Sequence, residues 1–212
     1  QVRLDIGTQI SKVYSLKHYQ ADSAATPLIE TGQFPRKIVT DVVPPMILYR
    51  GYPKTQDITT DYRLPAGAPV MSYVEPKPTL QWQVKPEKRE ILGHSCQRAE
   101  VSFGGRQWIA WFTSEIPLSE GPYKFGGLPG LILEVADSEG DYRYTCIGIA
   151  NLSAGENIVR WKWNQRPTTR KELEKIIVQL YANPEQAIKA LGGRMGFKGD
   201  PMLNLPYNPI EK

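Results

Sequence analysis

Between about residues 70 and 165 the chain alternates apolar and polar positions, segment after segment. "VMSYVE" and "TLQWQV" both alternate, the second with Leu80, Trp82 and Val84 on one face. A period of two is the mark of a strand with one face buried. "REILGHSCQRAEVSF" turns at Gly93 and continues as a strand. Gly104-Gly105 predicts a two-residue hairpin turn, because both residues tolerate positive φ. "RQWIAWFTSEI" returns with Trp108, Ala110 and Phe112 opposite Ile109, Trp111 and Thr113. Two apolar faces predict a central strand covered on both sides. "LILEVADSEGDYRYTCIGIANL" reads as a further hairpin turning at Ser138 to Asp141, and "ENIVRWKWN" as a half-buried strand. In that last segment Val159, Trp161 and Trp163 oppose Arg160, Lys162 and Asn164.

The period then changes. Leu173, Ile176, Ile177 and Leu180 form one stripe of an amphipathic helix. Thr169 with Glu172 makes a capping box. A second helix is expected with Asn183 as cap, Pro184 at its first position and Gly192 closing it. Residues 193–212 read as a proline-broken, extended tail. Residues 1–68 are the least regular part: "VRLDIG" as a short strand, a helix over "TQISKVYSLKHYQADSAA" capped by Thr8, and two β-branched runs split by Pro44-Pro45. Proline pairs do not sit inside central strands, so edge strands and loops are expected there. With no repeat and no visible boundary, the pattern predicts one domain over 1–212. Its β core spans 70–165 and its helices 168–192. The fold class is α+β, mainly β: a strongly curved antiparallel sheet with the C-terminal amphipathic helix packed on it.

At 212 residues, with 41% hydrophobic and 23% charged side chains, the chain has the composition of an ordinary folded domain. The longest apolar cluster, Leu128 to Val135, is far short of the ~20 residues of a membrane-spanning helix and contains Pro129, Gly130 and Glu134. A net charge of +4 is mild. Its best basic cluster, Arg160 to Lys171, fits a strand pattern better than a nucleic-acid face, so no nucleic-acid partner is expected. The chain begins at Gln1, which fits either a cleaved signal peptide or residues trimmed for expression. Cys96 and Cys146 are enough for one bridge, and spacing alone leaves bridge and free thiols equally open.

Catalytic signatures are absent. With only His18 and His94, no HExxH motif is possible. His94, Cys96 and Cys146 can in principle supply three metal ligands, but a polar histidine and a pair of cysteines explain the same residues, so no metal and no cofactor is expected. "GHSCQ" and "NLSAG" each lack a glycine of the serine-hydrolase elbow. "DSEGDYRYTCIG" is similar to a calcium loop, yet its glycine falls at position four and Gly148 stands where glutamate is needed. Glu115, Glu120 and Glu134 show no diagnostic spacing for acid–base work.

"GPYKFGGLPGLILEV", residues 121–135, packs glycines and prolines against the most apolar run of the chain. A phosphate cradle normally opens a helix; this one opens a run of strand character. Gly126, Gly127, Pro129 and Gly130 are therefore read as a structural turn. Gly126 and Gly127 allow positive φ, Pro129 biases Leu128 to extended geometry, and Gly130 leaves room for a bulky neighbour such as Trp108 or Trp111. Tyr123, Phe125 and Leu128 pack from this loop. Together with Trp108 and Trp111 they are the candidate binding residues, should the rings line a groove.

The hexapeptide Gly-Leu-Pro-Gly-Leu-Ile at Gly127 to Ile132 resembles the signature of the GLPGLI family. Trp82 in "QWQV", the stretch "ILGHSCQRAEVSFGGRQWIAWFTSEIPLSEGP" and "YNPIE" near the end agree with it in order. The resemblance covers about residues 70 to 150 and the tail. It implies an exported envelope protein of the Bacteroidota, made with a signal peptide and located in the periplasm or at the outer membrane. An oxidising compartment in turn favours a Cys96–Cys146 disulfide. The resemblance implies no established activity and no catalytic residues.

The expected function is a non-catalytic envelope protein whose curved, aromatic-rich sheet meets a partner protein or an apolar ligand, accessory to outer-membrane transport. One alternative is an envelope hydrolase or peptidase using His94 or Cys96 with a carboxylate such as Glu100 or Glu115. Another is a structural subunit of an outer-membrane assembly. The sequence leaves the oligomeric state open.

Overall fold

Strand alternation is realised twice, in two separate sheets. The computed structural model describes residues 1–30, 44–64, 68–151, 157–192 and 207–212, and for residues 25–30 the backbone only. The chain divides into two compact units, Gln1–Pro76 with Ile158–Tyr207, and Lys77–Asn157 with Asn208–Lys212. Among the described residues the fold is mainly β, with two open sheets, three short helices and no closed barrel. Two sheets stand where one antiparallel sheet is expected.

The first unit carries a six-stranded sheet in the order β1 (Val2–Ile6), β2 (Ser11–Ser15), β3 (Met46–Arg50), β4 (Asp57–Tyr62), β5 (Val70–Pro76) and β11 (Gln165–Pro167). All neighbours are antiparallel except β11, which runs parallel to β5. The segment expected to be helical from Thr8 is strand at Ser11–Ser15, and all five of its residues are buried. Local helical spacing loses there because β2 has a partner on each side, β1 and β3. Helix α1 (Leu16–Glu30) starts only afterwards, with Ser15 Oγ accepting the His18 N–H at 3.3 Å. The run "KIVTDVV" lies outside the described residues.

Leu64, Met71 and Tyr73 share a buried cluster with Leu173, Ile177 and Leu180 of α2 (Arg170–Ala182) and Ile188 of α3 (Pro184–Ala190). The Thr169–Glu172 capping box forms as the sequence predicts. Asn183 holds the position before α3, but its side chain makes no capping hydrogen bond, and Pro184 opens the helix. "NIVRWKWN" forms no strand; strand pairing begins at Gln165. Lys12 Nζ lies 3.4 Å from the Val159 carbonyl, and Arg160 forks onto Asp61 at 2.7 and 2.8 Å. Side chains therefore hold most of this segment, and backbone pairing enters only at its end, where the Asn164 carbonyl accepts the Val70 N–H at 3.2 Å.

The second unit carries a five-stranded antiparallel sheet in the order β10 (Arg143–Thr145), β9 (Leu131–Asp137), β8 (Arg106–Thr113), β7 (His94–Phe103) and β6 (Gln83–Ile91). Its hairpins turn where glycine predicts: Gly93 at φ 79°, Gly104 and Gly105 at 58° and 72°, Gly140 at 81°. β6 is an exposed edge interrupted by a bulge between Val84 and Lys88, which includes Pro86. Charge, bulge and proline all discourage edge-to-edge pairing.

Candidate functional site on the outer face of the five-stranded sheet

β8 is central, as expected, but its two faces differ. Trp108, Ala110 and Phe112 are buried, while Ile109 and Trp111 are half-buried on the other face. The expectation of a covering layer on both sides is not met. Long side chains from neighbouring strands do the covering, as arginine stems can.

Arg98, Trp111 and Glu134 stand opposite one another across β7, β8 and β9, as do Ile109 and Ala136 across β8 and β9. The pleat puts all five on one face. With Arg89, Arg143 and the Ser138–Gly140 turn they line a groove of about 450 Å³, within the range of ordinary ligand clefts. The Arg89 guanidinium lies over the Trp111 ring, 4.2 Å from its centre. Arg89 Nη2 and Arg143 Nη1 share one oxygen of Glu134, at 2.8 and 3.2 Å. Arg98 donates to Glu87 at 3.0 Å and also pairs with Glu100. Three arginines, Arg89, Arg98 and Arg143, and three carboxylates, Glu134, Asp137 and Glu139, line the groove, so its charges balance in number. Positive charge is concentrated locally where two guanidiniums share the Glu134 carboxylate, while Asp137 is held by Arg106 at 2.7 Å and Glu139 by Lys212 at 2.6 Å. A guanidinium stacked on an indole keeps its N–H edge for an incoming carboxylate or other anion.

Of the five residues expected to bind, only Trp111 meets this groove. Trp108 and Phe125 are 0% exposed, Leu128 2% and Tyr123 5%. Phe125 is the hub of a ring cluster, with Trp108, Phe103, Tyr123 and Trp82 centred 4.6 to 6.3 Å away. These rings are core because the loop carrying Phe125 folds back over the inner face of the sheet.

The loop itself seats a strand. Leu131 onward is β9, and Gly127 adopts φ 87°. The Gly126 carbonyl accepts the Trp82 indole N–H at 2.8 Å. Gly130 makes room for backbone rather than for an indole: a Cβ there would lie 2.1 Å from the Thr113 carbonyl oxygen.

His94 Nδ1 lies 2.7 Å from Glu115 Oε2, and the Ser95 N–H donates to Oε1 at 3.0 Å. These bonds, the histidine's first, hold the Glu115 carboxyl below its ordinary pKa. Glu100 is taken up by Arg98 and Lys85. Cys96 is buried, and burial pushes its thiol pKa up. Cys96 and Cys146 are both free, so the expected bridge is not formed. Each Sγ lies 3.5 Å from a backbone carbonyl close in sequence, Cys96 from that of His94 and Cys146 from that of Gly148.

Asp137, Glu139 and Asp141 bring carboxylate oxygens within 4.8 Å of one another, the spacing of a metal site. Arg106 Nη1 already sits among them, at 2.7, 3.3 and 2.7 Å. A guanidinium thus occupies the place a cation would take.

Sequence reasoning missed Arg89, Arg98 and Arg143. The available signal was a central strand with an apolar second face and a single arginine in each of three other strands of the sheet. Such a face needs cover, and long cationic stems supply it.

A family model described as "Protein of unknown function (Porph_ging)" matches residues 104–134, from the Gly104 turn through the hexapeptide into β9. No curated protein matches the chain. Among solved structures the chain is similar to PNGF-II in its C2 crystal form, with a TM-score of 0.53 and 12% identity over 84% of this chain and 29% of that one. The P21 form gives a TM-score of 0.51 and 12% identity over 84% and 30%. At this identity the likeness is one of fold. The chain spans less than a third of the PNGF-II chains it matches.

Proposed function

We propose that this chain is a non-catalytic binding module of the exported GLPGLI envelope proteins, and that its five-stranded sheet binds an acidic segment of an envelope or outer-membrane partner protein. The observation that carries this reading is the Trp111–Arg89 stack at 4.2 Å inside a groove where Arg89 and Arg143 converge on Glu134. Of the rings expected to receive an apolar ligand, Trp108, Tyr123 and Phe125 are buried in the core and Trp111 lies under the Arg89 guanidinium, so the ligand class moves from apolar to anionic. The Porph_ging match over the hexapeptide supports the family reading, and free thiols do not oppose export. The test is fluorescence anisotropy with a labelled pentaglutamate peptide and the full chain. Wild type is expected to bind with an affinity that falls as salt rises, and Arg98→Glu to weaken binding about tenfold or more through like-charge repulsion. Equal binding by wild type and Arg98→Glu, both folded, would exclude the groove.

One observation favours a second reading, a hydrolase. Glu115 orients His94 at 2.7 Å, the arrangement by which a carboxylate steadies a general base. Turnover of an envelope peptide or polymer by wild type, abolished in His94→Ala, is the result this reading requires.

A further inference from the structure

The tail "NPIEK" is held by a set of side chains that the groove does not use. Arg106, with its side chain 0% exposed, donates from Nη2 to Asn208 Oδ1 at 2.6 Å and to the Pro209 carbonyl at 3.0 Å. The Tyr142 hydroxyl donates to the Asn208 carbonyl. Lys124 Nζ, 2% exposed, bonds Glu211 Oε1 at 2.6 Å, and the Tyr123 hydroxyl donates to the same oxygen. The Lys212 N–H bonds the Gly104 carbonyl at 2.7 Å. The glycine turn is shaped to the tail as well. A Cβ on Gly104 would lie 2.7 Å from the Glu211 side chain and one on Gly105 2.9 Å from that of Lys212.

Three features mark this as recognition of a peptide rather than core packing. Only Glu211 among residues 208–212 is buried; Asn208 and Lys212 are exposed, and Pro209 and Ile210 half-buried. The tail joins no strand of either sheet. One receiving cation has an anchor apart from the tail: Arg106 donates to Asp137 at 2.7 Å, while Asp141 bonds both Arg106, at 2.7 Å, and Asn208 of the tail. Lys124 is a buried ammonium, and a buried charge is strongly unfavourable without an opposite charge. That requirement selects a carboxylate at the position of Glu211.

We propose that the cleft between the Gly104–Gly105 turn, the Tyr123–Lys124 corner and the Ser138–Asp141 turn is a peptide-recognition site for Asn-Pro-x-Glu segments, with residues 208–212 as its resident ligand. Asparagine is read by Arg106, the proline carbonyl by the same guanidinium, and glutamate by Lys124 and Tyr123. Because the resident is tethered, it competes as an intramolecular ligand, at the high effective concentration a tether provides. An external peptide therefore binds best once the resident is weakened.

The experiment uses the full chain and a labelled peptide of sequence Tyr-Asn-Pro-Ile-Glu-Lys, capped at both ends. Glu211→Gln weakens the resident without shortening the chain. The peptide is expected to bind Glu211→Gln at least about tenfold tighter than wild type. A peptide with glutamine in place of glutamate is expected to bind that variant about tenfold weaker or worse, as loss of a charge-assisted bond implies. Should Glu211→Gln fail to give the wild-type circular dichroism spectrum, Asn208→Ala, an exposed position, takes its place in the same comparison. If the folded variant binds the peptide no better than wild type, or takes glutamate and glutamine peptides equally, the tail is a structural part of the unit and the proposal is overturned.

Discussion

Gly130 and Gly140 separate two reasons for glycine. At Gly130 the space is missing, since a Cβ would lie 2.1 Å from the Thr113 carbonyl oxygen and 3.0 Å from Ser114 Cα. Backbone cannot yield as a side-chain tip can, so β8 and the loop must part. At Gly140 nothing lies within 4 Å, but φ is 81°. Gly140→Ala should therefore cost only the left-handed penalty of about 1–2 kcal/mol, and Gly130→Ala about 3 kcal/mol or more. Urea midpoints of the two variants test the order, which would be reversed if the Gly130 contact relaxed freely. The cysteines give a second expectation of this kind. Cys96 is buried with a raised thiol pKa, and Cys146 is half-buried. A thiol reagent acts on the thiolate, so native protein should label first at Cys146, with Cys96 reacting only after denaturation. Absence of both thiols from denatured, non-reduced protein would instead mean they are joined.

In α2 the expectation concerns pH. Glu172 accepts from the Thr169 N–H at 3.0 Å and from the Thr169 hydroxyl at 3.0 Å, and its carboxyl pKa is lowered by those bonds. A depressed carboxylate contributes stability above its unfolded pKa of about 4.3, and that contribution is lost as pH falls through the lower folded value. Glu172→Gln should thus melt below wild type at pH 7, with the gap closing in acid; a gap independent of pH would show that the carboxylate charge plays no part. This helix was legible from sequence because its stripe, cap box and Pro184 punctuation are local signals. The hairpins at Gly93, Gly104-Gly105 and Gly140 were legible for the same reason. β2 was not, since Val13 and Tyr14 at helical spacing become strand only through partners in β1 and β3. Alternation fixes which residues of β8 share a face, but whether a loop ring such as Phe125 packs or lines a groove depends on where its loop folds back, and here it is buried. The groove arginines were overlooked because cover supplied across strands leaves no local trace.

The path of the chain explains why no boundary was visible. It forms β1 to β5, builds the second unit from Lys77 to Asn157, and returns at Ile158 to supply β11, α2 and α3 to the first. The buried cluster of the first unit accordingly draws Leu64, Met71 and Tyr73 from before the excursion and Leu173, Ile177, Leu180 and Ile188 from after it. The second unit closes in a like manner, taking Asn208 to Lys212 onto Arg106 and Lys124. Substitutions in the two clusters should therefore open different parts of the sequence. Leu173→Ala removes a buried side chain, a change worth about 2–5 kcal/mol. It should lower amide protection first in both Gln1–Pro76 and Ile158–Tyr207, although the whole of Lys77–Asn157 separates them. Arg106→Met leaves Asp137, whose side chain is 0% exposed, without its partner, a loss of about 3–5 kcal/mol. Its effect should appear first in Lys77–Asn157 and Asn208–Lys212. Hydrogen exchange read by mass spectrometry resolves these segments. Protection lost uniformly along the chain in both variants would mean that the two clusters do not act as separate cores.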